Sequence, residues 1–153
     1  MRRRLGADRS ALTAGPPHGD YRGRVRELSE AGEAFVRERH IATLSTMAPW
    51  GGIHAVPVGF TLHDGVLRII TSRDSQKVRN VLRDATATVS QVDGARWLAF
   101  PATATVHDDP DEVALAVELY AQRYRQPRVN PSRVAIHLVP VRLMGSSGLL
   151  RSV

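Results

Sequence analysis

Thr71, Ser75, Gln76 and Lys77 bring two hydroxyls, an amide and an ammonium together within seven positions. They lie where a strand gives way to a helix. Val66, Leu67, Ile69 and Ile70 are the branched apolar residues of a buried strand. Asp74 or Ser75 caps the helix that follows, which the pattern runs from Gln76 to about Arg83. Free backbone N–H groups at a helix start, beside hydroxyls and a cation, receive an anion. Lys77 is the only lysine in the 153 residues, and every other strong base is arginine. A compact ammonium suits a phosphate as a point charge. The same pattern also describes a plain capped surface helix with a solvated lysine, and spacing alone does not separate the two.

Two more stretches complete a constellation that fits a cofactor. The strand His54-Ala55-Val56-Pro57-Val58-Gly59 offers backbone groups to the edge of a planar polar ring. The hairpin Gly94-Ala95-Arg96-Trp97 offers an aromatic wall and a cation. A ring with a phosphate end needs apolar walls, edge donors and acceptors, and a cation. If the cofactor carries the redox chemistry, no protein nucleophile is required. The usual catalytic sets are missing. Six histidines (18, 40, 54, 63, 107 and 137) contain no pair at metal-ligand spacing. There is no Gly-x-Ser-x-Gly elbow and no phosphate-loop lysine motif. Asp108, Asp109, Asp111 and Glu112 read as the acidic start of a helix, and Tyr120 and Tyr124 as its core face.

Composition limits the partners. The net charge is +6, but residues 1–26 hold seven arginines against two aspartates, so the remaining body is near neutral. A basic arm could touch RNA, DNA or acidic lipid, but an unstructured leader accounts for the charge, and no nucleic-acid partner is expected. No apolar run approaches the roughly 20 residues that span a membrane. With no cysteine there is no disulfide and no thiolate chemistry, which suits the cytoplasm.

The elements must hold this constellation in place. Residues 1–27 are expected as a disordered basic arm and residues 28–153 as one domain. Ser29 caps a first helix. Strands follow at His40–Thr46, Ile53–Leu62 and Val66–Thr71, the last two joined by the Asp64-Gly65 hairpin signal. Pro57 requires its strand to be at an edge or bulged, and Gly59 implies a close approach to the backbone. After the Gln76–Arg83 helix come strands Ala85–Val92 and Arg96–Val106 around Asp93-Gly94. Asp109-Pro110 opens a third helix, ending near Arg125, and Val134–Val141 is the last strand. About six strands and two or three helices, mostly joined by hairpins, make a mainly β (α+β) barrel or sandwich rather than a doubly wound sheet.

The chain resembles the pyridoxamine 5'-phosphate oxidase-like split-barrel superfamily, and within it the actinobacterial F420-dependent biliverdin reductase group. The resemblance rests on Glu38-Arg39-His40, Val58-Gly59-Phe60-Thr61, Ile70-Thr71 with Ser75-Gln76-Lys77, and Gln91-Val92-Asp93-Gly94-Ala95-Arg96-Trp97-Leu98. It also rests on Tyr120-Ala121-Gln122-Arg123-Tyr124-Arg125, Asn130-Pro131 and Met144-Gly145-Ser146, and covers about residues 28–150. It implies a six-stranded antiparallel split β-barrel of the FMN-binding type. It further implies a homodimer, with coenzyme F420 in a groove between the subunits and a small-molecule substrate. By motif, Lys77 and Gln76 would hold the phosphate end, with Ile70, Thr71 and Ser75 beside it. The His54–Gly59 backbone would line the ring, Gly94–Trp97 would close the pocket, and Arg83 would meet the acidic tail. The implied reaction is hydride transfer to biliverdin or a similar conjugated acceptor, with Arg96, Arg123 or solvent supplying the proton. An FMN-dependent oxidase or reductase of the same fold, and a non-enzymatic F420 or tetrapyrrole binder, are the alternatives.

Overall fold

A computed structural model describes residues 25–153 of the chain. The elements run β1 (Arg26–Leu28), α1 (Glu30–Arg37), β2 (Ala42–Met47), β3 (Ile53–Val58), β4 (Thr61–His63), β5 (Val66–Ser72) and α2 (Gln76–Arg83). They continue β6 (Thr86–Asp93), β7 (Arg96–His107), α3 (Pro110–Arg123), β8 (Arg133–Pro140), β9 (Met144–Gly145) and β10 (Leu150–Ser152). The main sheet is antiparallel, with strand order β3-β2-β6-β7-β8-β5-β4 and β9 paired to β7. Phe35, Phe60, Phe100, Leu44, Leu67, Ile69, Ile136 and Leu138 fill the core, each essentially sealed from solvent.

The local rules predict most of this. Ser29 accepts a hydrogen bond from Gly32 N at 3.1 Å, and Asp109 accepts from Asp111 N and Glu112 N at 3.0 and 3.2 Å. Asp64 (φ 50°) and Gly65 (φ 74°) both take the left-handed backbone that a tight hairpin between twisted strands requires. Pro57 lies on β3, an edge strand, the position in a sheet where proline is tolerated.

Four expectations change. The described residues hold ten strands rather than six, because short β1, β4, β9 and β10 add to the six longer ones. The expected single strand Ile53–Leu62 is broken at Gly59 and Phe60, and its halves go to opposite edges of the sheet. This crossing splits and closes the barrel. At the crossing the Phe60 side chain is fully buried in the core. Third, the expected arm lies outside the described residues up to position 24, but its boundary at residue 27 moves. Arg26, Glu27 and Leu28 pair with Ser152, Arg151 and Leu150, so this segment is a strand held by the chain's other end. Fourth, α3 stops at Arg123 and buries only Ala116 fully, so its tyrosines are wall rather than core.

The outer side of β5, β7 and β8 holds a polar row. His137 is the register partner of both Arg68 and Thr105. Its ring stacks on His107 at 3.8 Å between centroids, and Glu112 of α3 comes within 3.3 Å. Burial first, then the His107 and Arg68 charges, hold the His137 pKa below the ordinary value of 6.5, while Glu112 pulls it back up. Folding therefore favours the neutral imidazole. Its contribution is complete above the ordinary histidine value and is lost as pH falls through the lowered one. Denaturant midpoints should fall as pH drops below 6.5, and His137→Asn should flatten that slope. An unchanged slope in the variant would assign the acid sensitivity elsewhere.

Candidate functional site

The end of β5 delivers Ile69, Ile70, Thr71 and Ser72 to a groove of about 340 Å³. The end of β3 adds Pro57, Val58 and Gly59, the start of α2 adds Lys77, and α3 adds Tyr120. Pro127 and Asn130 of the segment before β8, and Arg133 at the start of β8, close it. That segment is pinned to the strand end. Asn130 Nδ2 donates to Ser72 Oγ at 2.9 Å, Arg73 N to Ser132 O at 2.8 Å, and Arg133 N to Asn130 O at 3.1 Å.

The start of α2 differs from the other two helices. Ser75 occupies the cap position with extended backbone (φ −66°, ψ 151°), but its side chain makes no capping bond. The Thr71 hydroxyl instead donates to Ser75 Oγ at 3.3 Å. α1 and α3 carry acids in their first turns and α2 carries none. Its leading amides are left for an anion. Lys77, in that first turn, has no hydrogen-bond or ion-pair partner among the described residues, and burial lowers its pKa. An ammonium drawn partly out of water with no counter-charge costs free energy until an anion arrives. The donor set fits a phosphate.

Gly59 has its close neighbour inside the protein. A Cβ there would lie 2.9 Å from Tyr120 Cε2 and 3.0 Å from Tyr124 Cε2. Gly59→Ala should therefore push the tyrosines aside, costing about 1–3 kcal/mol and distorting the groove wall. Unchanged melting and unchanged ligand affinity would show that the rings yield freely.

The structure brings together Pro57, Val58, Gly59, Ile70, Thr71 and Lys77 of the expected site, with Ser75 one hydroxyl contact away. His54, Ala55 and Val56 continue along β3 and do not line the groove. Gln76 turns its amide to Asn80 Oδ1 at 2.7 Å, and Asn80 in turn donates to Thr46 Oγ1 at 3.0 Å. Arg83 bonds to the Met47 carbonyl and to Asn80. Gly94 and Ala95 form the β6–β7 turn. Trp97 lines a separate concavity of about 680 Å³ with Arg26, Leu143 and Met144, which shares no residue with the Lys77 groove. Sequence reasoning missed Tyr120, Asn130 and Arg133 as site residues. Only the Ser72–Arg133 register places Arg133 beside the groove, and register is not legible along the chain.

Neither candidate arginine is free to give a proton. Arg96 bonds to both Glu38 oxygens at 3.2 Å and to Asp93, contacts that raise its pKa. The guanidinium beside Glu38 holds that carboxyl below its usual range. His40 joins the same cluster, 3.1 Å from Glu38. Arg123 donates to Glu38 O at 2.8 Å, to Gln91 Oε1 at 2.7 Å and to Phe60 O. Its guanidinium lies 4.5 Å from the Phe60 ring centroid.

An antiparallel split barrel with a phosphate-receptive groove at one strand end defines a class of cofactor-binding proteins. Residues 28–145 match pyridoxamine 5'-phosphate oxidase, and the chain belongs to that family. It is 46% identical over 125 residues to the F420H(2)-dependent biliverdin reductase of Mycobacterium tuberculosis, covering 80% of this chain and 91% of that one. Among solved structures, a conserved hypothetical protein of Mycobacterium tuberculosis superposes with a TM-score of 0.69 at 25% identity, covering 81% of this chain and 87% of that one. An F420 reductase superposes with a TM-score of 0.65 at 23% identity, covering 76% and 98%, and at that identity it shows the fold alone. Among the described residues no helix is long and apolar enough to cross a membrane.

Proposed function

We propose that this chain is an F420-dependent oxidoreductase that reduces biliverdin or a similar conjugated acceptor. The observation that carries the reading is the unpartnered Lys77 at an uncapped helix start, in a chain 46% identical to a reductase of that name. Reduced deazaflavin, when bound, supplies a hydride, so the reaction is a two-electron reduction. Lys77 and the leading amides of α2 hold the phosphate end. Pro57, Val58 and Gly59 would line the ring, Ile70 and Thr71 would lie beside the phosphate end, and Tyr120 would shield one side from water. Arg96 and Arg123 are committed elsewhere, so the proton comes from solvent.

The working unit is a homodimer, with the cofactor between two copies. The hairpin Gly94–Trp97 lies away from the Lys77 groove in its own chain, and a second copy can bring it there. Trp97 is 40% and Ile53 59% exposed, apolar surface that a partner would cover. The chain has no cysteine, and the cytoplasm is the compartment that suits it.

The test is anaerobic mixing of purified protein, reduced F420 and biliverdin, with FMN titrated in parallel. Oxidised deazaflavin and bilirubin should appear together. Saturable FMN binding with no F420 binding would overturn the reading in favour of a flavin enzyme. F420 binding without turnover of any bile pigment would leave a carrier.

A further inference from the structure

We propose that Arg133 is the second anion post of the groove, so that the acidic tail of the cofactor runs toward β8 and not toward Arg83. The inference rests on the deazaflavin reading above. Arg83 lies outside the groove lining, and its Nη2 turns away to Met47 O and Asn80 Oδ1. Arg133 is in the lining with Lys77. It sits opposite Ser72 in the β5–β8 ladder, one residue past Thr71. Its backbone is fixed by its bond to Asn130 O, and the preceding Ser132 is fixed by Arg73. Its side chain gives one bond, from Nη2 to Arg128 O at 2.6 Å, and pairs with no carboxylate among the described residues. A guanidinium has five N–H donors, so most of its planar fork is left for a ligand.

The two cations differ in what they prefer. An ammonium takes a phosphate as a compact charge, whereas a guanidinium takes a planar carboxylate two-pronged. A phosphate at Lys77 followed by a carboxylate at Arg133 is the order of groups in the phosphate-and-glutamate tail of F420. FMN ends at its phosphate and offers Arg133 no carboxylate. The inferred ligand class is thus a ring whose phosphate is extended by a carboxylate, and Arg133 is the residue that reads the extension.

The experiment measures dissociation constants for F420 and for its deazaflavin phosphate fragment, which keeps the phosphate and lacks the carboxylate tail, by fluorescence titration of wild type, R133Q, R133K and R83Q. R133Q should weaken F420 by about tenfold or more, the scale of one charge-assisted contact. It should leave the fragment within about twofold. R133K should recover little, because an ammonium lacks the fork. R83Q should leave both ligands unchanged. A tail-dependent loss in R83Q, or an equal loss on both ligands in R133Q, overturns the proposal. If wild type binds FMN and no F420, the deazaflavin reading has failed, and FMN against riboflavin then decides Arg133. A loss in R133Q confined to FMN keeps it as an anion post, and no such difference removes it. Wild type that binds none of the four ligands overturns both.

Discussion

Lys77→Ala is expected to weaken cofactor binding by roughly 1.5–3 kcal/mol, the range for a charge-assisted hydrogen bond, without loss of fold stability. The two halves of that expectation have one cause. In the free protein the ammonium is partly buried and meets no counter-charge among the described residues. Its removal takes away a desolvation cost and no internal bond. Binding loses an attractive partner for the anion, while folding loses nothing. A pH signature follows from the same burial. The folded pKa lies below the ordinary 10.5, so the free protein sheds this proton early as pH rises. The unfolded chain then holds more protons than the folded one, and stability rises with pH across that window. Affinity for an anion falls across the same window, because the neutral amine no longer attracts it. In Lys77→Ala both slopes should vanish. Calorimetric titration together with thermal melting at neutral and alkaline pH checks this. A variant that melts earlier and binds as tightly as wild type would make Lys77 a structural residue.

Arg123→Met should lower the unfolding free energy by about 3–5 kcal/mol, a larger stability effect than that of the other variants considered. Gly59 and Phe60 leave the sheet where β3 and β4 part, so their backbone lacks a neighbouring strand. The last residue of α3, Arg123, and the cap residue Tyr124 supply the missing partners. Phe60 N donates to Tyr124 Oη at 3.2 Å, Phe60 O accepts from Arg123, and Tyr124 Oη donates to His40 O at 2.7 Å. Gln91, with no exposure to solvent, donates to Phe35 O at 2.8 Å and accepts from Arg123 at 2.7 Å. Methionine refills the stem's volume over Phe60 but makes none of these bonds, so Gln91 Oε1 is stranded in the core. Equilibrium denaturation should show a lower midpoint at unchanged slope. Arg96→Met is the control. Its ion pairs with Glu38 and Asp93 lie at the surface, where such pairs contribute little. Equal losses in the two variants would contradict the role assigned to Arg123.

The residues that follow local rules were legible before the structure. Ser29 and Asp109 cap where their neighbours suggest, Asp64-Gly65 makes its hairpin, and Pro57 demands the edge that β3 occupies. The strand-to-helix turn that presents Lys77 was legible for the same reason. What stayed hidden depends on closure. The break at Gly59-Phe60 is decided by Tyr120, Tyr124 and Arg123, more than sixty positions away. Arg133 joins the groove through its pairing with Ser72, and β1 shows no alternation because only Leu28 of its three residues is buried. Gly59 signalled a close approach correctly, but the approaching group is a pair of tyrosine rings.

The first and last described strands zip to one another, with Leu28 opposite Leu150 and Val153 N bonded to Val25 O at 3.1 Å. Ser29, which starts α1, also donates its N–H to Leu149 O at 3.0 Å. Fraying at either end is therefore a single event: peeling Leu150–Ser152 away also releases Arg26–Leu28 and loosens the start of α1. Proteolytic trimming at the carboxyl side would be felt at the amino side before it reached the barrel.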